Sequence, residues 1–137
     1  MIDLSSEFGQ RVKQQLQEEE VIWLTTITPS GVPQPNPVWF YWDGQAIIMY
    51  SQPGAFRIRN IRHNPRVSLN LQGADVQGNN VVVIHGKAQL NERYTQLQPG
   101  YAEKYLKYLP ELGVTYNQLV ASYSVEIIVS PSRLRGV

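Results

Sequence analysis

The chain has 137 residues, 42% of them hydrophobic and 17% charged, with a formal net charge of +1. That balance predicts one ordered domain over residues 1–137 and argues against a disordered chain or a broadly basic duplex-binding face. There is no cysteine, which excludes disulfides, thiol catalysis and cysteine-based metal sites. The N-terminal Met1-Ile-Asp-Leu-Ser-Ser-Glu7 has neither a basic start nor an apolar run, so no signal peptide is predicted. No apolar stretch approaches the roughly 20 residues of a membrane span. A cytoplasmic protein with neither a membrane nor a nucleic-acid partner is expected.

Residues 5–20 read as an amphipathic helix, with Ser5 or Ser6 as cap and Phe8, Val12 and Leu16 on one face. Val21 to Ile27 is rich in β-branched and aromatic residues and reads as a buried strand. Thr28 to Pro33 is a turn, with Gly31 as its positive-φ position. A strand over 36–42 meets another over 45–50 across Asp43-Gly44, a hairpin signal. In the first of these, Trp39 and Tyr41 fall on one face and Phe40 and Trp42 on the other, so both faces need cover, which suits a dimer.

Ser51-Gln-Pro-Gly54 then leads into Arg57-Ile-Arg-Asn-Ile-Arg-His-Asn-Pro-Arg66, a ten-residue run holding four of the twelve Lys and Arg residues. A strand running through a polar loop into a short Arg-studded helix is a good seat for a phosphate. The loop and first turn offer free backbone N–H groups, and the guanidinium fork matches phosphate oxygens. The helix is predicted to end at Asn64-Pro65. Val67 to Leu71 alternates as a half-buried strand, and Gln72 to Asn80 is an exposed loop. A strand from Val81 to Leu90 follows, with Gly86 marking a bulge or a close backbone approach. Pro99 to Leu109 reads as a helix with Tyr101, Tyr105 and Tyr108 on one face, and Thr115 to Val120 as a shorter one. Ser124 to Val129 is a last strand before Pro131. About six strands joined by short turns, with no regular strand–helix alternation, predict a mainly β antiparallel barrel with peripheral helices.

Val38-Trp-Phe-Tyr-Trp-Asp-Gly44, Tyr50-Ser51, Arg57-Ile-Arg-Asn-Ile61, Asn64-Pro-Arg-Val67 and Val83-Ile-His-Gly-Lys-Ala88 resemble, in order and spacing, the pyridoxamine 5'-phosphate oxidase-like split-barrel flavoproteins. Tyr101-Ala-Glu-Lys-Tyr105 and Ile127 to Leu134 are similar to the small branch associated with the deazaflavin coenzyme F-420. The resemblance implies an antiparallel split β-barrel that forms a homodimer, with FMN or F-420 in a groove between subunits. It implies a phosphate held by Ser51 and Arg57, where the family more often has Lys, and it puts Ala55 where a second hydroxyl is frequent. The segment Asn36, Pro37, Val38, Trp39 would lie against the ring, with Tyr50, Arg59 and Asn60 as supporting cofactor-binding candidates. Arg62 and Arg66 face water or the glutamate tail of the deazaflavin coenzyme.

His63 and His85 are lone histidines without metal-ligand spacing, so no metal site is predicted. Gly-x-Gly-x-x-Gly, a phosphate-binding loop ending Gly-Lys-Ser/Thr and Gly-x-Ser-x-Gly are all missing from the sequence, and Asp3, Asp43 and Asp75 are scattered. No catalytic acid, base or nucleophile stands out. That fits redox chemistry, in which the cofactor carries hydride to or from a small conjugated substrate. The alternative is a non-catalytic carrier of flavin or of a tetrapyrrole.

Overall fold

The computed structural model describes residues 2–137. In chain order the elements are α1 (Glu7–Glu18), β1 (Ile22–Ile27), β2 (Pro33–Val38), β3 (Tyr41–Trp42), β4 (Ile47–Ser51), α2 (Phe56–His63) and β5 (Arg66–Leu71). β6 (Val82–Asn91), α3 (Pro99–Tyr105), α4 (Leu109–Leu112), α5 (Tyr116–Ser122) and β7 (Val125–Gly136) complete the chain. The strands form one antiparallel sheet in the order β2-β1-β5-β6-β7-β4-β3, half of a split barrel.

Two apolar cores flank this sheet. The larger lies inside its curve, where alternate residues Ile22 and Leu24, Val67 and Leu69, and Val82 and Ile84 meet Val12 and Leu16 of α1 and Ile58 and Ile61 of α2. The smaller lies outside β4, where Ile48 and Tyr50 pack on Leu97, Tyr101 and Tyr105. β4 is therefore buried throughout, and it lacks the alternation of a half-exposed strand. The predicted α1 is present, with Ser6 Oγ accepting from the Gly9 N–H at 2.9 Å. So is the Asp43-Gly44 hairpin, closed by Asp43 Oδ1 accepting from the Gln45 and Ala46 N–H groups at 2.8 and 2.7 Å. Gly86 sits at the predicted bulge, with the Ser130 carbonyl only 2.6 Å from where a Cβ would stand.

The structure differs from expectation in four places. The strand over 36–42 is divided into β2 and β3, which stand at opposite ends of the sheet, and this raises the strand number to seven. Prolines at 33, 35 and 37 confine β2 to an edge. The chain then crosses at Trp39-Phe40, where α3 satisfies the backbone of Phe40. The Tyr105 hydroxyl accepts from the Phe40 N–H at 2.9 Å and donates to the Glu20 carbonyl at 2.7 Å. Lys104 Nζ donates to the Phe40 carbonyl at 3.0 Å.

Secondly, Phe40 and Trp42 enter the larger core while Trp39 and Tyr41 pack on the smaller, so a single chain covers both faces of this segment. Thirdly, the helix over 99–109 breaks into α3, a 3-10 turn at Leu106–Tyr108 and α4, with Pro110 in the first turn of α4. Finally, the last strand does not stop before Pro131. It runs to Gly136 because Pro131 faces Gly86 at the bulge, where a missing N–H costs the ladder little.

Candidate functional site

Two clefts open along β2 and meet at Arg57. The first, about 620 Å³, lies between Pro37, Val38, Trp39, Tyr50 and Arg57 on the sheet side and Leu109, Leu112, Leu119 and Tyr123 on the helical side. The second, about 430 Å³, lies between Pro33, Gln34, Pro35 and Asn36 of β2 and Ala55, Phe56 and Arg57 at the start of α2. Arg57 thus separates a larger, mostly apolar chamber from a smaller one along the strand edge.

The local structure explains why Arg57 points there. β4 ends at Ser51, which is fully buried, and the loop returns through a turn closed by the Ala55 N–H to the Gln52 carbonyl at 3.2 Å. Ala55 is the N-cap of α2 and offers no side-chain cap; the Ile58 N–H turns back to the Ala55 carbonyl at 3.0 Å, which leaves the Phe56 and Arg57 N–H groups uncapped at the helix start. Arg57 Nε donates to Ser51 Oγ at 3.0 Å, while Ser51 Oγ donates to the Gln52 carbonyl at 3.1 Å. No carboxylate pairs with Arg57 among the described residues; the ion pairs are Arg62–Glu92 and Lys107–Glu20. Burial pulls the guanidinium below its ordinary range, with Tyr123 acting weakly the other way. A half-buried cation without a counter-ion, fixed by one hydrogen bond, is a seat for an anion.

Of the nine cofactor-binding candidates, Pro37, Val38, Trp39, Tyr50 and Arg57 meet in the first cleft, and Asn36 joins Arg57 in the second. Ser51 lies behind Arg57 and orients it. Tyr50 contributes its ring, because its hydroxyl is engaged elsewhere: it donates to Glu126 Oε2 at 2.7 Å and accepts from the Gln98 N–H at 2.8 Å. Trp39 is held by stacking on Tyr105, centroids 4.6 Å apart and nearly parallel. Asn60 and Arg59 are placed away from this group. Asn60 is fully buried, and its Nδ2 donates to Thr26 Oγ1 at 3.0 Å and Gln34 Oε1 at 2.8 Å, tying α2 to β1 and β2. Arg59 is exposed, with its guanidinium over the Phe56 ring at 5.5 Å. His85 lies on the outer sheet face within 3.3 Å of Arg135 Nε.

The helical wall of the first cleft has no counterpart among the predicted site residues. Its tyrosines carried a helical-face signal, but nothing in the spacing of Leu109, Leu112, Leu119 and Tyr123 says that they face Arg57 from across the cleft. That wall carries no carboxylate, histidine or lysine, and the sheet side adds none. Among the described residues no cluster of three or more potential metal ligands occurs, and no helix is long and apolar enough to cross a membrane.

Comparison with known proteins agrees with this architecture. The family model described as pyridoxamine 5'-phosphate oxidase matches residues 8–133. Among solved structures, an F420 reductase superposes with a TM-score of 0.66 at 24% identity, covering 90% of this chain and 94% of its own. The heme storage protein HutZ of Vibrio cholerae superposes with a TM-score of 0.66 at 15% identity, covering 98% and 95%. HupZ of Group A Streptococcus does so at 0.61 and 19% identity, covering 100% and 94%. At these identities the likeness concerns the fold. No curated protein matches the sequence.

Proposed function

The chain belongs to the pyridoxamine 5'-phosphate oxidase family, and on that premise we propose that it is a homodimeric oxidoreductase binding FMN or the deazaflavin coenzyme F-420. The observation that carries this reading is Arg57, half-buried, unpaired and aimed by Ser51 into the junction of the two clefts. The residues present suit a phosphate-bearing ring. Arg57 and the uncapped N–H groups of α2 can take the phosphate, Ser51 holds the guanidinium in place, and Pro37 to Trp39 form a wall for the ring. Bound there, the cofactor would supply hydride transfer with a small conjugated substrate. The protein's share is to position both and limit water, to which Leu109, Leu112 and Leu119 contribute by lining one wall of the open cleft with apolar surface.

The half-exposed outer face of β1 and β5, with Trp23, Thr25, Ile27, Ser68 and Asn70, supports a second copy packing on the sheet. A carrier of flavin or a tetrapyrrole is the second reading, favoured by a cleft lining without an acid or base. The experiment is a fluorescence titration of ligand-free protein with FMN and with F-420, followed by assay of the tighter complex for reduction and reoxidation. Binding with turnover supports the oxidoreductase, and binding without turnover over a panel of conjugated acceptors supports the carrier. If neither cofactor binds, Arg57 serves another anion. Light scattering on the same sample checks the dimer.

A further inference from the structure

β2 carries proline at 33, 35 and 37, opposite Ile27, Thr25 and Trp23 of the β1 ladder. In an antiparallel pair, successive residues turn their N–H and C=O groups alternately toward the neighbour and away from it. Proline has no N–H to give a ladder, so Gln34, Asn36 and Val38 face β1 and the prolines face outward. The turn agrees with this phase, since the Val32 carbonyl accepts from the Thr28 N–H at 2.9 Å. β2 is the end strand of the sheet. Among the described residues no donor reaches the carbonyls of Pro33, Pro35 or Pro37. This edge therefore offers acceptors about 6.6 Å apart and no donor at all. Both clefts run along it, one past Pro37 and the other past Pro33 and Pro35.

We propose that this donor-free edge selects the ligand by its N–H groups. The ligand class it takes is a ring bearing an imide N–H, as at the pyrimidine end of a flavin or deazaflavin, and not a ring whose polar groups are acceptors only, such as haem with ionised propionates. An N–H set against one of these carbonyls replaces the water that solvates it. A ligand carbonyl in the same place strips that water away and puts two acceptors face to face. The inference rests on the cofactor site assigned above and goes further, since the phosphate seat at Arg57 by itself does not discriminate between ring systems.

The test is titration of the ligand-free protein with FMN, 3-methyl-FMN, F-420 and 3-methyl-F-420, with haemin as competitor. Methylation removes the imide proton and leaves phosphate and ring otherwise intact. The 3-methyl analogue of the cofactor that binds should be weaker by about tenfold or more, the value of one hydrogen bond of about 1.4 kcal/mol. Equimolar haemin should not displace that cofactor. The carbonyl carbon resonances of Pro35 and Pro37 should move with the parent cofactor and not with the methylated one. Equal affinity of parent and analogue, unmoved proline carbonyls, or displacement by haemin would each overturn the selection while leaving the cofactor site standing. Failure of both FMN and F-420 to bind would remove the site and the selection together.

Discussion

Arg57 carries a charge that its surroundings work against, and this sets it apart from the other arginines of its helix. Arg62 reaches Glu92 at the surface and Arg59 lies over Phe56 in water. Arg57 is partly desolvated and has only a serine hydroxyl for company. Its removal should therefore affect ligand and fold in opposite proportion. Arg57→Ala should weaken binding of the phosphate-bearing cofactor by roughly 1.5–3 kcal/mol, the range for hydrogen bonds to a charged group. It should change the stability of the ligand-free protein by about 0.5 kcal/mol or less, since the desolvation relieved offsets the Ser51 bond lost. Paired titration and urea unfolding check this, and unchanged affinity would place the phosphate elsewhere. Asn60→Ala should do the reverse. It strands the buried Thr26 hydroxyl and a half-buried Gln34 oxygen, so a stability loss of about 1–3 kcal/mol is expected with a smaller change in affinity. The neighbourhood of Ser51 and Arg57 was legible because strand, polar loop and Arg-rich helix follow one another in sequence. The burial of Asn60 was not, since its partners lie 34 and 26 residues away.

At the scale of elements, what the sequence concealed is the crossing from β2 to β3. The aromatic run Trp39 to Trp42 has strand composition throughout, and the Asp43-Gly44 turn correctly marks its end. The break comes from Tyr105 and Lys104, about 65 residues downstream, which take over the backbone groups of Phe40. The proline spacing was visible in the sequence and does point to an edge, but an edge strand can still continue into its neighbour. Helix α3 seats this crossing through a close contact: a Cβ on Gly100 would stand 2.1 Å from the Tyr41 ring. Gly100→Ala must therefore swing the outer end of the Tyr41 ring aside, with an expected cost of about 1 kcal/mol in urea unfolding, the low end for overpacking. Shortening the opposing side chain with Tyr41→Leu should recover part of that loss. In a double-mutant cycle the two changes should be non-additive. Additive losses would mean that Gly100 is required for some reason other than Tyr41.

For the molecule as a whole, the second core makes stability depend on alkaline pH. Tyr50, Tyr101 and Tyr105 are held un-ionised well above the ordinary tyrosine range, and Tyr94 is pushed up to about 12, in each case chiefly by burial. The aromatic rings touch in sequence, Trp39 to Tyr105, Tyr105 to Tyr101, Tyr101 to Tyr50 and Tyr50 to Tyr94, so the cluster is lost as a unit. A group whose folded pKa is raised contributes stability in full below its unfolded pKa and loses it as pH rises. The unfolded chain releases these protons from about pH 10 while the folded chain keeps them, so unfolding becomes easier with each step of pH. Each buried tyrosine adds about 1.4 kcal/mol per pH unit to that slope, Tyr94 only up to about 12. Lys104 acts in the opposite sense. Burial lowers it from 10.5 to about 8, so between those values the unfolded chain binds the extra proton and stability rises with pH. Urea unfolding from pH 7 to 11.5 should therefore show a gentle rise above about pH 8 that turns into a steep fall above about pH 10. Lys104→Met should flatten the rise. Tyr101→Phe, which sacrifices no hydroxyl hydrogen bond among the described residues, should make the fall shallower by about one tyrosine's share. A stability curve that stays level from pH 10 to 11.5 would mean that the tyrosines ionise within the folded protein. The wall they build beside the cleft would then be open to water.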